Sequence, residues 1–387
     1  MLRGRRLSRA FYPAFCLPLF PKYRRIVHIN VKKWLRGLCA AVLCVAYVGT
    51  AGAAELQKVP TAWMGAQETF PIWYAKQKGW DKEVGLDVEL LYFSSGMDAL
   101  STLPAKTWVF GGMGAIPALM GALRHDTYVI ANCNDEAMVN AVMVRPDSPI
   151  MQTKGYNKSY PNVYGTPESV KGKTVLCTTV SSAHFALSSW LKALGLTEKD
   201  VTIKNMDQAS ALAAFEYGIG DIVTLWAPLT YVGEKRGWKV ASTPHACYRG
   251  LPIVIVADRE FADKNPEVTA KFLSIYMRAI DMMKNEPMDK LLPEYLRFYV
   301  DWAGTDYSKD LAEMDLKNHP VFNLEEQLQM FDASEGPSQA QSWQGDLAQF
   351  FAAIGRISQD ELKKVENSSY VTDKFLKLIK TPLPSYK

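Results

Sequence analysis

The sequence predicts an α/β protein of two lobes, each built on a mostly parallel sheet, with a helical tail at the C-terminal end. Short apolar segments typical of buried strands alternate with segments of helical period, a pattern that indicates parallel strands joined by helices. The alternation occurs twice, before and after a stretch rich in Pro, Gly and Tyr at 146–168. Beyond residue 263 only helical periods follow, so the tail is expected to add helices alone.

The strands are predicted from runs of Val, Ile, Leu and aromatic residues, which favour a buried pleated surface. They are expected, in chain order, at 56–63, 86–93, 108–113, 128–133, 141–145, 173–179, 201–204, 221–225, 238–241 and 251–258. The helices are predicted from apolar spacings of three and four residues, as at Phe70, Trp73 and Tyr74, and from starts such as Pro117 in a first turn. They are expected at 68–79, 97–103, 116–123, 182–194, 209–217 and 266–285, with further helices up to 353.

Composition excludes several classes of protein. The chain has 387 residues, of which 48% are hydrophobic and 22% charged, so it is an ordinary globular sequence. A mean hydropathy of −0.10 is too polar for a multi-span membrane protein. Residues 1–54 hold ten Lys and Arg and no acid, which leaves 34 basic and 40 acidic residues, a net of −6, in 55–387. A body with that balance lacks the basic face that nucleic-acid binding requires.

The first 54 residues are interpreted as a leader that contains a secretory signal. Basic residues at 32–36 precede the apolar run 37–48, and small residues at 49–54 end in an Ala-x-Ala pattern. The apolar run is shorter than the roughly 20 residues that span a bilayer. We expect cleavage after Ala53 or Ala54 and a mature protein in the periplasm; the alternative is an uncleaved anchor. A start of translation near Val31 would leave a signal of normal size.

No motif for catalysis, a metal or a cofactor is present in the sequence. HExxH, GxSxG, GxGxxG, P-loop and CxxC patterns are all absent, and the five histidines are scattered. Three cysteines remain after the leader, Cys133, Cys177 and Cys247, and each lies in an apolar, strand-like context. We expect buried, unreactive thiols, no metal, no cofactor and no catalytic residue.

What recurs is a strand, a turn of small polar residues and a helix. The turns are 65–68, 94–96, 111–114 and 181–184, of which the second and the fourth contain paired serines. Free N–H groups at a helix start, together with serine hydroxyls, suit an anionic oxygen group. In open α/β sheets, ligands lie at these carboxyl ends of strands. The alternative is that the serines and glycines only cap helices and form tight turns.

These residues resemble the periplasmic substrate-binding proteins of ABC importers, in the nitrate, sulfonate and taurine class. The resemblance covers roughly 57–280. The stretches that carry it are SVKGKTV at 169–175, SSAHF at 181–185, LGL at 194–196, ASALAAF at 209–215, LWAP at 225–228, FSSG at 93–96 and GMGAIPAL at 112–119. The chain departs from the family at Trp108-Val109-Phe110, where an Asp often precedes Phe-Gly, at the longer insertion 151–168, and at the acidic turn 132–136.

The resemblance implies a bilobal type II periplasmic-binding-protein fold with two mixed parallel sheets, helices on both faces and a hinge of two crossings. The crossings would lie near 142–147 and 243–250. Lobe 1 would comprise 57–144 plus 249–387 with the helical tail, and lobe 2 would comprise 145–248. A small-molecule ligand would bind in the interlobe cleft, and the partners would be the transmembrane subunits of an ABC permease. The protein is expected to be monomeric.

Candidate ligand-binding residues come from the turns and from polar residues near the crossings. They are Gln67, Glu68, Ser94, Ser95, Gly96, Met113, Asn134, Asp135, Ser181, Ser182, His184, Trp226 and Arg249. Serines and helix starts would bind a sulfonate-like or carboxylate end, and acids near Glu68 and Asp135 would pair with an amine. For Trp226 the alternative is core packing, and for His184 it is a capping or surface role. Glu68 would otherwise only favour the helix N-terminus electrostatically.

The functional hypothesis is a receptor that captures a small organic anion or zwitterion, sulfonate-, taurine- or nitrate-like, and delivers it to an ABC import permease. One alternative is an enzyme on the same fold related to thiamine-pyrimidine synthesis, which would need a Cys/His cluster and a cytosolic location. A second is a sensor ectodomain, which would need a tethering helix.

Overall fold

The computed structural model describes residues 55–387 of the chain. The predicted leader, its signal and its cleavage site lie outside these residues. Among residues 55–387, no helix is both long and apolar enough to cross a membrane.

Within residues 55–387, ten strands form two five-stranded sheets. The strands are β1 Gln57–Trp63, β2 Leu86–Tyr92, β3 Phe110–Gly114, β4 Thr127–Asp135, β5 Ala141–Val144, β6 Thr174–Cys177, β7 Thr202–Asn205, β8 Ile222–Leu225, β9 Lys239–Ser242 and β10 Pro252–Asp258. The first sheet has the order β2-β1-β3-β10-β4, and the second has the order β7-β6-β8-β5-β9. All ten predicted strands are therefore present, with ends that shift by up to two residues.

Both sheets are mixed, as the resemblance implies. In the first sheet β1 runs parallel to β2 and β3, whereas β10 runs antiparallel to β3 and β4. In the second sheet β6 runs parallel to β7 and β8, whereas β5 runs antiparallel to β8 and β9. The antiparallel strands β5 and β10 are those that enter a sheet from the other lobe, so they are not joined to their neighbours by the right-handed crossovers that make strands parallel.

Helices cover the sheets and build the tail. They are α1 Phe70–Gln77, α2 Trp80–Glu83, α3 Gly96–Thr102, α4 Ala115–Arg124, α5 Pro167–Val170, α6 Ser182–Ala193, α7 Gln208–Glu216, α8 Leu229–Lys235, α9 Arg259–Lys264, α10 Pro266–Asn285, α11 Met288–Phe298, α12 Lys309–Asn318, α13 Leu324–Met330, α14 Gln339–Ala353 and α15 Gln359–Glu366. A 3-10 turn, Gln67–Thr69, precedes α1, and a π-helical turn, Tyr299–Ala303, follows α11.

The chain passes between the two sheets at 136–140 and at 243–251. The first of these segments precedes the crossing expected at 142–147, because β5 pairs with β8 and β9 and so belongs to the second sheet. The expected second crossing, 243–250, coincides with the observed segment. The assignment of every residue to a lobe remains a prediction.

The tail packs on the first sheet and also contacts the second lobe. Phe70 of α1 meets Tyr295 of α11 edge to face, with ring centroids 5.0 Å apart. At the other end of the tail, Phe350 of α14 packs against Phe185 of α6 at 5.0 Å. Arg356 then forms an ion pair of 2.5 Å with Glu198. The tail is therefore a third link between the lobes, in addition to the two crossings.

We expect Gly112→Ala to destabilise the protein. A Cβ at Gly112 on β3 would lie 2.4 Å from the buried ring of Trp63 and 3.2 Å from Cγ of Glu68. Overpacking of this kind costs about 1–3 kcal/mol. Denaturant unfolding of the variant measures the loss. Gly345→Ala in α14, where no atom lies within 4 Å of the added carbon, should be neutral or slightly stabilising. Equal stability of the two variants would contradict this packing.

Candidate functional site

A narrow cleft lies between the two lobes, where the carboxyl ends of several strands meet. Its walls enclose about 440 Å³, including the part that opens to solvent. Lobe 1 contributes the ends of β1 and β3 and the start of α3, and lobe 2 contributes the turn 178–182 and Trp226. Its position at the carboxyl ends of the strands is that of a small-molecule site at the edge of α/β sheets.

Six of the predicted residues line this cleft. They are Glu68, Ser95, Gly96, Ser181, Ser182 and Trp226. The two serine-containing turns, which lie far apart in the sequence, therefore face the same space from opposite lobes. That each of them contacts a ligand remains a prediction.

The lobe 2 wall depends on a strained turn. Val180 has a φ of +57°, a conformation that is unfavourable for a β-branched residue. Its N–H donates to Nδ1 of His184 at 3.0 Å, so the imidazole holds the strained residue in place. Nε2 of the same ring lies 2.8 Å from Oε1 of Glu198, and Arg356 contacts the other oxygen, Oε2, of the same carboxylate. The cleft turn is thus fixed through two side chains to the C-terminal tail.

Gln208, which sequence reasoning missed, joins the two parts of the lobe 2 wall. Its Nε2 donates to Thr178 Oγ1 at 3.0 Å, and its Oε1 accepts from the N–H of Trp226 at 3.0 Å. It is the first residue of α7 and is buried, so one amide fixes both the turn before α6 and the turn that carries Trp226.

The lobe 1 wall carries a buried carboxylate. Glu68 lies in the 3-10 turn after β1, is 1% exposed, and neither carboxylate oxygen has a hydrogen-bond partner within 55–387. Its backbone carbonyl accepts from the hydroxyl of Tyr276 at 2.8 Å, so the turn itself is anchored. A buried charge without a partner is unfavourable, and such groups are typical of sites completed by a ligand.

A second carboxylate, Glu136, lines the same cleft at the first crossing and is 3% exposed. Its Oε2 accepts from Asn140 at 2.9 Å, and its Oε1 lies 3.9 Å from Nε2 of His319 in the tail. Nδ1 of His319 lies 3.0 Å from Oδ1 of Asp315. The acidic turn 132–136 signalled this position, but only the fold distinguishes Glu136 from its neighbours.

Burial and mutual repulsion set the charges of this cluster. Burial, reinforced by Glu136, raises the pKa of Glu68 to about 8, and burial raises that of Glu136 to about 7 although His319 opposes it. Burial lowers the pKa of His319, but the carboxylate of Asp315 outweighs it and raises that pKa to about 9. Near neutral pH, His319 and Asp315 therefore form an ion pair, and the two glutamates retain a proton between them.

Seven predicted residues lie outside the cleft lining. Asn134 donates from Nδ2 to Oε1 of the buried Gln67 at 2.5 Å, whereas Nε2 of Gln67 and Oδ1 of Asn134 are buried without a hydrogen-bond partner in the described chain. Asp135 accepts from the N–H groups of Ala137 and Leu251 and thereby fixes the two crossings. Ser94 bonds the side chain of Asp98 at the surface. That any of these four residues binds the ligand remains a prediction.

The remaining three are Met113, His184 and Arg249. Met113 is fully buried in the lobe 1 core, and His184 is fully buried against Glu198 and Phe351. His184 follows the cleft residue Ser182 by two positions, which turns it by about 200° to the other side of the helix. Arg249 lies at the second crossing, where its N–H bonds the carbonyl of Pro244, and it is not part of the cleft wall.

The three cysteines of the described chain are free and buried, as predicted. Burial raises the pKa of each thiol, that of Cys177 to about 12, so these groups are unreactive at neutral pH. Within residues 55–387, no group of three or more His, Cys, Asp and Glu is arranged to hold a metal ion.

Comparison with known proteins decides the family. The model of the NMT1/THI5-like family matches residues 66–290, more than half of the chain. This chain belongs to the NMT1/THI5-like family. A protein named as an ABC transporter periplasmic binding protein in Brachyspira hyodysenteriae is 25% identical over 323 residues, which cover 83% of this chain and 89% of the relative. One named for binding aliphatic sulfonates in Bacillus subtilis is 27% identical, over 76% of this chain and 84% of the relative.

A solved structure has the same fold as this NMT1/THI5-like chain. The alkanesulfonate-binding protein of Xanthomonas axonopodis pv. citri, bound to MOPS, superposes with a TM-score of 0.62 at 19% identity, covering 79% of this chain and 96% of that one. The predicted bilobal periplasmic-binding-protein fold and the predicted resemblance are both confirmed.

We expect the stability of the protein to fall as the pH rises from about 4.5 to 8. The pKa of Glu68, ordinarily 4.5, is about 8 in the folded protein and that of Glu136 is about 7, so unfolding releases protons in this window. His319, whose pKa rises from 6.5 to about 9, acts in the same direction between those values. Glu68→Gln should flatten the decline, and thermal melts at pH 5 to 8.5 measure it. A parent and a variant with the same pH dependence would contradict the unpaired state of Glu68.

We expect His184 to position the cleft turn without contacting the ligand. His184→Leu removes the acceptor for the Val180 N–H, and loss of this part-buried hydrogen bond costs about 1 kcal/mol. His184→Asn keeps an acceptor near the place of Nδ1. Hydrogen exchange at 178–182 should accelerate in the Leu variant and much less in the Asn variant. Equal exchange in both variants would show that the imidazole does not hold the turn.

Proposed function

We propose that this chain is the solute-binding receptor of an ABC importer. It takes up a small organic anion or zwitterion in the interlobe cleft and delivers it to the transmembrane subunits of a permease. The observation that carries the proposal is the cleft, into which two separate lobes direct strand–helix turns and one unpaired carboxylate. The names of the relatives, periplasmic binding and sulfonate binding, support the same class of function.

The anionic end of the solute is assigned to the start of α6. Ser182 is the first residue of this 12-residue helix, lines the cleft, is largely buried, and its hydroxyl makes no hydrogen bond within the described chain. The first N–H groups of a helix have no partner within the helix, and the helix dipole favours an anion there. The hydroxyls of Ser95 and Ser181 already cap α3 and α6, since they accept from the N–H groups of Asp98 and His184. Ser182 is therefore the serine best placed to bind the solute.

Capture works by closure of the lobes. A solute that touches Ser182 and Trp226 on one side and Glu68 on the other makes its full set of contacts only when the lobes are close together. Binding therefore shifts the population toward the closed arrangement. The crossings 136–140 and 243–251 act as the hinge, and the closed form is the one the permease recognises.

A receptor is favoured over the enzyme alternative. The enzyme related to thiamine-pyrimidine synthesis would need a cluster of Cys and His, and in the described chain the thiols are dispersed and buried. The cleft offers serine, carboxylate and indole groups, which can bind a solute. No nucleophile and base contact each other among these lining residues. We place the mature receptor in the periplasm, on the names of its relatives and the predicted leader. That it is a monomer remains a prediction.

Ser182→Ala should weaken solute binding by about 1 kcal/mol or more, because a hydrogen bond to a charged group is lost. Trp226→Ala should weaken it further by removing apolar wall area. Calorimetric titration with taurine and ethanesulfonate tests both variants. Ser101→Ala, on the exposed side of α3, is the control and should bind as the parent does. If the Ser182 and Trp226 variants also bind like the parent, the solute binds elsewhere.

A further inference from the structure

We propose that the solute of this receptor must carry a protonated nitrogen, and that its capture by Glu68 and Glu136 releases one proton to solvent. The inference rests on the proposed function and specifies its substrate class: aminosulfonates, amino acids and related zwitterions or amines, in preference to nitrate or plain alkanesulfonates.

The first observation is geometric. Two carboxylates from separate segments, the 3-10 turn after β1 and the first crossing, line one cleft and are almost completely buried. Both oxygens of Glu68 lack a hydrogen-bond donor within 55–387, whereas Glu136 has Asn140 on one oxygen. An ammonium or amidinium group supplies several donors and a positive charge, which is what Glu68 lacks.

The second observation is that no cation of the described chain pairs with Glu68, as the ammonium group of a solute would. Within the described chain no Lys or Arg forms an ion pair with Glu68 or Glu136. His319 is the nearest cation, but Asp315 contacts it at 3.0 Å and compensates its charge. Asp315 is itself held by the hydroxyls of Tyr295 and Tyr299, at 2.5 and 3.1 Å.

The other titratable groups around the pair add no positive charge. They are Cys133, Asp135, Tyr231, Tyr276 and Tyr299. Glu68, Glu136, Asp135 and Asp315 are four acidic side chains against the single imidazole of His319, so the cluster is acidic and has room for a cation.

The proton balance follows from these contacts. Without solute the glutamate pair retains a proton near neutral pH, because burial disfavours the charged form of both side chains and the neighbouring Glu136 adds to this effect at Glu68. When an ammonium group approaches, the neutral carboxyl loses its proton to water, and the resulting carboxylate pairs with the ammonium. No bond to carbon or nitrogen changes, and the released proton is the only other product. Affinity should therefore rise as the pH increases from about 6 to 8 and level off above that.

A solute without a donor leaves the pair unsatisfied. A plain sulfonate keeps the same anionic end, but its other end offers nothing to Glu68. A hydroxyl in place of the ammonium can donate one hydrogen bond but carries no charge, and a charge-assisted bond to a buried carboxylate is worth about 10- to 100-fold in binding. The glutamate pair would therefore distinguish solutes that have the same size and the same anionic group.

The test uses matched pairs of compounds that differ only in ammonium against hydroxyl: taurine against isethionate, and β-alanine against 3-hydroxypropionate. Calorimetric titration at pH 6, 7 and 8 is carried out with the parent, Glu68→Gln and Glu136→Gln. The control is Glu234→Gln, a glutamate of α8 outside the cleft whose pKa burial also raises. We expect an amine to bind at least 10-fold more tightly than its hydroxyl partner, with affinity rising with pH. Glu68→Gln should abolish both effects, Glu136→Gln should reduce them, and the control should retain them.

Equal binding of amine and hydroxyl compounds, or an unchanged preference in Glu68→Gln, overturns the cation requirement while the receptor function stands. A panel in which neither member of any pair binds also overturns it. The proposed function fails as well if ethanesulfonate, nitrate and simple carboxylates likewise neither bind nor stabilise the protein.

Discussion

The arrangement of this protein depends on a buried carboxylate that the chain leaves without a partner. Glu68 lies at the edge of the first sheet, 1% exposed, with both oxygens free of donors in the described chain. Such a group opposes folding, so it persists only where the surrounding structure holds it firmly. Glu68 faces a cleft and an opposing lobe that can bring a solute to its carboxylate. The unfavourable burial of Glu68 therefore has a function.

The support around Glu68 comes from distant parts of the chain. Gly112 on β3 leaves room for the ring of Trp63 and for the Glu68 side chain, and Tyr276 of α10 anchors the carbonyl of the turn. The tail adds His319 and Asp315 behind Glu136. On the opposite wall, His184 and Gln208 hold the turns that face the carboxylates. Neither wall is formed by one segment, so the site exists only in the assembled fold.

The sequence predicted the strands well because each is a short apolar run bounded by turn residues, as in β10. The strand rule alone could not bring the two serine turns together, because they follow strands of different sheets; the bilobal fold implied by the resemblance placed both at one cleft. The sequence did not distinguish Ser182 from His184, whose sides of α6 depend on how the helix packs. It passed over Glu136 in favour of Asp135, because the partners that single out Glu136 lie in the tail, far along the chain. The first crossing was placed too late because the partner strands of β5 could not be read from its own residues.

The most direct test of the account is the number of protons exchanged when an aminosulfonate binds. Calorimetric titration of taurine at pH 7.5, in two buffers of different ionisation enthalpy, gives this number without any variant. The account predicts a net release of up to one proton per solute bound, because the ammonium group displaces the proton that Glu68 and Glu136 retain. Binding of taurine with no proton exchange, or with proton uptake, would contradict it.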